Sequence, residues 1–225
     1  MEFDTYLVTQ ASLSGEHSTP EVVAAAIEGG VDVVQVREKD ATARDRLQVA
    51  RTVREQTRAA GVPMVVNDRV DIAAAADADG VHLGDDDLPV AAAREQLDAD
   101  AVIGRSVSTP EAAREAEAAG ADYLGVGAVY ATGSKADIDD EEYDIGLDPV
   151  RDIDEAVDIP FVGIGGITAE NAAEVVAAGA DGVAGVTPIP PPPGPPPGPP
   201  ENREGGAPGG HPRGGGEPGG GRETR

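Results

Sequence analysis

Several short stretches of the chain concentrate side chains suited to holding an anion beside a hard metal ion. VDVVQVREKD, residues 31–40, sets Gln35, Arg37 and Lys39 at every second position, with Val34 and Val36 between them. Side chains alternate sides along a strand, so the two cations and the amide point one way and the valines the other. The competing reading is a solvated strand end in which Arg37 and Lys39 pair with Glu38 and Asp40. PMVVND then ends in Asn67 and Asp68, and GVHLGDDD in Asp85, Asp86 and Asp87. Hard oxygen ligands of this kind suit Mg²⁺ shared with a substrate's phosphates, although in so acidic a chain the run also reads as an ordinary acidic loop. Ser106 follows a fifth apolar run. The loop YATGSKAD offers Thr132, Gly133, Ser134 and Lys135, hydroxyls about a glycine followed by an ammonium, which can cradle an anion. GIGGITAEN supplies Gly165 and Gly166, either a tight turn or a close backbone approach to a phosphate at the start of a helix.

These positions fall at the ends of apolar runs, and the runs dictate the frame. Residues 5–10, 32–37, 63–67, 80–84, 101–106, 122–127, 160–165 and 182–186 form eight strand candidates, with seven Ala-rich helix candidates between them. EGGVDVV, AAGADYLGV and AAGADGVAGV repeat one junction, in which a helix closes on glycine and an Asp precedes the next strand. Helix starts are marked by Ser18 or Thr19 before Pro20, by Thr109 before Pro110, and by Thr168 ahead of residues 169–178. Strict alternation with continuous apolar strands predicts a parallel sheet covered by helices, and eight strands predict closure into an α/β (β/α)8 TIM barrel. A doubly wound sheet would carry a Gly-rich phosphate turn after its first strand, where this chain reads ASLSGEHS. In a barrel the strand-end residues meet at the C-terminal mouth, where such folds place their chemistry. His82 alternates inward on the fourth strand and reads as a core histidine with satisfied hydrogen bonds, not as a base. His17 and His211 receive no role.

Composition bounds the rest. The formal net charge of −25 disfavours nucleic acid and anionic membrane as partners, and the lack of cysteine excludes disulfides and thiolate chemistry. Of 17 basic residues only Lys39 and Lys135 are lysines, and both fall at predicted mouth positions. An acid-rich, lysine-poor surface resembles proteins of salt-loving organisms and predicts a protein that works in high salt. No run is long enough to span a bilayer and MEFDTYLVTQ lacks a leader pattern, which predicts a cytoplasmic protein. After Thr187 the sequence turns to Pro, Gly and Arg, which predicts a barrel domain over 1–187 and a low-complexity, disordered tail over 188–225. Such a barrel would lack its eighth helix, and the change of composition points to a shifted reading frame near residues 184–190.

Taken in order, QVREKD, VVND, GVHLGDDDLP, IGRS, YATGSK, GIGGI and the VT at 186–187 resemble thiamine phosphate synthase, over residues 5 to about 187. The resemblance implies a (β/α)8 transferase that uses Mg²⁺ to join hydroxymethylpyrimidine diphosphate to thiazole phosphate, giving thiamine phosphate and pyrophosphate. It implies that Gln35, Arg37, Lys39, Asn67, Ser106 and Lys135 bind the pyrimidine diphosphate. Of these, Lys135, Arg37, Lys39 and Ser106 would serve catalysis directly. It further implies that Asp68 and Asp87 hold Mg²⁺, and that Thr132, Gly133, Ser134, Gly166, Val186 and Thr187 receive the thiazole phosphate. This chain departs from the family pattern at Asp85 (usually Gln), Ser134 (usually Thr) and Thr187 (usually Ser), and Pro188 replaces Ala. The partners implied are these small molecules; a homo-oligomer is left open. The alternatives are a thiazole tautomerase-like enzyme and a noncatalytic phosphate-binding remnant of a disrupted gene.

Overall fold

The computed structural model describes residues 1, 3–131 and 144–185. Among them, eight parallel strands close into a barrel in which each pairs with its sequence neighbours and β8 returns to β1. The order is β1 (Thr5–Val8), α1 (Thr19–Glu28), β2 (Val33–Val36), α2 (Ala43–Ala60), β3 (Met64–Asn67), α3 (Val70–Ala75), β4 (Gly80–Leu83), α4 (Val90–Arg94), β5 (Val102–Val107), α5 (Pro110–Ala118), β6 (Tyr123–Gly127), α6 (Leu147–Asp154), β7 (Phe161–Ile164), α7 (Ala172–Ala177) and β8 (Gly182–Gly185). The expected missing helix, the division at 187 and the character of the tail concern residues 186–225, which lie outside the described residues.

The strands are apolar on both sides because the closed sheet has two buried faces. Leu7, Val34, Val36, Val66, Leu83, Ile103, Leu124 and Val126 point outward into the layer under the helices. Phe3, Tyr6, Val8, Val33, Val65, Tyr123, Val162 and Ala184 fill the barrel interior. Each fully buried Val or Leu of this kind contributes about 1.5–3 kcal/mol. With so few aromatics available, three of them are spent inside the barrel, where Phe3 stacks on Tyr123 with centroids 5.0 Å apart.

The junction repeat seen three times in the sequence recurs at a fourth place in the fold. Helices α1, α3, α5 and α7 end on a left-handed residue, Gly30, Asp77, Gly120 or Gly179. The following N–H, of Val31, Ala78, Ala121 or Ala180, returns to a carbonyl five residues back and satisfies the helix end. The next residue is Asp32, Asp79, Asp122 or Asp181. Each carboxylate accepts the N–H that opens the preceding strand, at 2.7–2.8 Å from Thr5, Met64, Ile103 and Phe161. Its own N–H donates back to the carbonyl of that same residue. A strand start that would otherwise leave a polar group unpaired is thereby closed at alternate strands around the bottom of the barrel.

Helix starts follow the sequence reading in two cases. Ser18 opens α1 with a reciprocal capping box to Glu21, and Thr109 accepts from the Ala112 N–H at the head of α5. Thr168 does not cap α7, which begins four residues later. Its N–H instead donates to Asn171 Oδ1, so a polar turn precedes a helix shorter than the sequence suggested. Thr42, which the sequence reading passed over, caps α2 through the Asp45 N–H.

Candidate active site

The alternation in QVREK holds in the structure. Val34 and Val36 face the helices, while Gln35, Arg37 and Lys39 line a cavity of about 530 Å³ at the C-terminal mouth. Asn67, Asp68, Ser106 and Gly166 line the same cavity, from β3, β5 and the loop after β7. Residues spread from Gln35 to Gly166 in the sequence thus converge because parallel strands deliver all their C-termini to one end. Apolar walls from Val8, Val162, Ile164 and Ala184 leave room for a flat ring beside the charged groups. Thr132, Gly133, Ser134, Lys135, Val186 and Thr187 lie outside the described residues.

Arg37 and Glu38 do not pair with each other as a solvated strand end would have them do. Arg37 Nη1 donates to Gln10 Oε1 at 2.6 Å, and the Arg37 N–H donates to Thr9 Oγ1 at 3.0 Å. Glu38 turns away and is buried. Its Oε1 accepts the hydroxyls of Thr9 at 3.0 Å and Thr19 at 2.6 Å, pinning the ends of β1 and β2 to the start of α1. Gln10 and Glu38 were missed by sequence reasoning: each is one polar residue in a loop, and only the fold shows that they set Arg37.

Asp68 stands at φ 63°, a left-handed conformation that a non-glycine residue adopts at a cost of about 1–3 kcal/mol. Asp77, the other such residue among those described, closes a helix; Asp68 closes none and instead carries its carboxyl into the mouth. Burial, followed by the adjoining carboxylate of Asp87, raises its pKa from 3.8 to about 6, against the opposing pull of Lys39 and Arg37. Asp87 Oδ2 accepts the Gly84 N–H at 2.6 Å, while Asp85 leaves the cluster to pair with Arg105 at 2.6 Å. Asn67 donates to Asp68 Oδ1, and Asn67 Oδ1 is buried with no hydrogen-bond partner. Two adjoining carboxylates and an orphaned amide oxygen form a donor set that fits a hard divalent cation. Among the described residues no three His, Asp or Glu side chains form a cage. The pair therefore suits Mg²⁺, which commonly takes one or two carboxylates and completes its shell with water and substrate oxygens.

The two glycines after β7 line the cavity and also sit against neighbouring backbone. A Cβ on Gly165 would lie 2.4 Å from the Ala128 Cβ, and one on Gly166 would lie 2.7 Å from both the Ala131 oxygen and the Tyr130 Cβ. The space is taken by the chain leaving β6, so the pair seats the start of that loop as well as lining the cavity. His82 behaves as a satisfied core residue: Nδ1 contacts the Tyr123 hydroxyl at 2.9 Å and Nε2 the Ser106 hydroxyl at 3.0 Å. The two tyrosines of the interior were visible in TYLVTQ and DYLGVG, yet nothing in those stretches alone marks them as polar partners of the site.

Comparison with known proteins adds an independent line. A family model described as thiamine monophosphate synthase matches residues 5–189. The thiamine-phosphate synthase of Haloarcula marismortui is 69% identical over 189 residues, covering 84% of this chain and 90% of that protein. That of Natronomonas pharaonis is 65% identical over 188 residues, covering 84% and 87%. Among solved structures, thiamine phosphate pyrophosphorylase from Pyrococcus furiosus superposes with a TM-score of 0.72 at 42% identity, covering 81% of this chain and 85% of that one.

Proposed function

The chain belongs to the thiamine monophosphate synthase family and is a transferase of that kind, and on this premise we propose that it joins hydroxymethylpyrimidine diphosphate to thiazole phosphate, forming thiamine phosphate and pyrophosphate. The observation that carries the reading is the meeting of Gln35, Arg37, Lys39, Asn67, Asp68 and Ser106 around one cavity with an apolar wall. A tautomerase acting on the thiazole alone would have no use for so large a diphosphate and metal set.

In this reading the carbon–oxygen bond between the pyrimidine methylene and its diphosphate breaks first. The electron pair leaves with pyrophosphate, the aminopyrimidine stabilises the resulting cation, and the thiazole nitrogen then attacks it. No protein nucleophile is required. Arg37, held by Gln10, meets the leaving charge together with Lys39 and Lys135, while Gln35, Asn67 and Ser106 orient the pyrimidine portion. Thr132, Gly133, Ser134, Gly166, Val186 and Thr187 receive the thiazole phosphate. Mg²⁺ held by Asp68 and Asp87 would supply further positive charge to the departing pyrophosphate.

The test is thiamine phosphate formation by the purified chain in concentrated KCl, with both substrates, with and without Mg²⁺. Asp68→Ala and Lys135→Ala should each lower turnover more than about tenfold with the fold intact. Near-normal turnover in both variants, or product independent of metal, would sink this mechanism.

A further inference from the structure

A continuous chain of side-chain hydrogen bonds crosses the barrel interior at the floor of the cavity. Gln35 Nε2 donates to the Tyr6 hydroxyl at 2.8 Å, and that hydroxyl meets the Tyr123 hydroxyl at 2.8 Å. Tyr123 meets His82 Nδ1 at 2.9 Å, and His82 Nε2 meets Ser106 Oγ at 3.0 Å. The chain starts at one cavity residue, Gln35 on β2, and ends at another, Ser106 on β5. Between them Tyr6 and His82 are buried yet also line the cavity, while Tyr123, at 0% exposure, does not. Room has been left for it: a Cβ on Gly104 would sit 2.2 Å from the Tyr123 ring and 2.5 Å from His82 Nδ1.

We propose that Gln35, Tyr6, Tyr123, His82 and Ser106 form a one-way hydrogen-bond relay that fixes the Ser106 hydroxyl as a donor toward the pyrimidine substrate, making Tyr123, which does not line the cavity, a positioning residue. The direction follows from the donor count. The Gln35 amide nitrogen can only donate, so the Tyr6 oxygen accepts from it and the Tyr6 proton passes to Tyr123. Tyr123 then donates to Nδ1, His82 is neutral with its proton on Nε2, and that proton goes to Ser106 Oγ. The Ser106 proton is left for the cavity. In the reverse direction Tyr123 would donate to Tyr6, and the Tyr6 proton would face the N–H of Gln35. Burial pushes both tyrosine hydroxyls further above their ordinary pKa, which keeps them neutral donors. Bonds aligned head to tail in a low-dielectric interior strengthen one another. The substrate atom that meets the Ser106 proton is then an acceptor.

The proposal rests on the synthase reading only for the identity of that substrate. ¹⁵N NMR of the full chain in high salt, with the three histidines resolved by a His82→Gln variant, reads the tautomer directly. Expected is a neutral His82 protonated at Nε2; a proton on Nδ1, or an imidazolium, overturns the relay. Tyr123→Phe keeps the stack on Phe3 but removes the link. It should raise KM for the pyrimidine diphosphate by about fivefold or more, leave KM for the thiazole phosphate unchanged, and move His82 to a mixture of tautomers. Unchanged KM values and an unchanged tautomer in that variant also overturn it. If the wild-type chain forms no thiamine phosphate, the synthase reading falls while the tautomer measurement still decides the relay.

Discussion

Asp68 is the residue where backbone, burial and charge meet. Its left-handed backbone delivers a carboxyl to a place already occupied by the carboxylate of Asp87, and the combination holds its pKa near 6. An acid group whose pKa is higher folded than unfolded binds its proton more tightly in the folded state. Its contribution to metal-free stability therefore grows as pH falls from about 6 toward 4 and is lost as pH rises through 6. A bound cation acts in the opposite sense, because it requires the carboxylate. Following the Asp68 carboxyl carbon by NMR should give a midpoint near 6 without metal and a lower one with Mg²⁺, and Asp87→Asn should lower it without any metal. A midpoint indifferent to Mg²⁺ would remove the pair as the metal site. Much of this was legible in VVND and GDDD, since acidic residues at strand ends are informative by position. Which of three consecutive aspartates faces Asp68 came from the family resemblance and not from local pattern: it depends on the turn that ties Asp87 to the Gly84 N–H and releases Asp85 to Arg105.

At the scale of elements, the four aspartates at the bottom of the barrel do for strand starts what caps do for helices. Asp79 has the largest load. It accepts from the Met64 N–H and binds Arg54 through both oxygens at 2.6 and 2.9 Å, and the Arg54 side chain is only 14% exposed. Asp79→Ala strands a buried backbone donor and a mostly buried guanidinium together, and should cost about 2–4 kcal/mol. Because Asp79 sits at the strand end opposite the mouth, turnover by the folded variant should be unchanged. Denaturant unfolding beside steady-state kinetics checks both halves; a parallel loss of turnover would mean that the two ends of the barrel are coupled. The sequence displayed three of these junctions because Gly followed by x-Asp repeats there. The fourth was hidden: Asp77 takes the glycine's place at φ 55°, and a side chain that tolerates the left-handed region leaves no compositional mark. Thr168 misled for a related reason, since a hydroxyl before an Ala-rich segment looks like a cap whether the helix starts next to it or a turn later.

Across the whole molecule the dominant force beyond burial is self-repulsion from a net charge of −25. At about 0.1 M salt charges interact over about 10 Å, and at about 1 M over about 3 Å, so concentrated KCl should relieve the repulsion. The exposed ion pairs that salt also weakens, such as Arg58 with Asp77 and Arg151 with Asp148, are worth about 0–1 kcal/mol each. The melting temperature should therefore rise steadily between about 0.1 and 2 M KCl. A flat or falling midpoint would show that the acidic surface does not limit stability.

The barrel and the content of its mouth were determined by the sequence. Strand and helix periods are local, and parallel strands joined by short helices can place their C-termini only at one end. Gln35, Arg37, Lys39, Asn67, Asp68 and Ser106 therefore had to meet wherever those periods held. What lies between them was decided by tertiary structure alone. Tyr6 and Tyr123 are 117 residues apart and join at 2.8 Å only because closure brings the inward faces of β1 and β6 across the same narrow interior. The hydrogen-bond partners of a buried hydroxyl are set by the sheet's closure and register, and no local pattern in the chain records them.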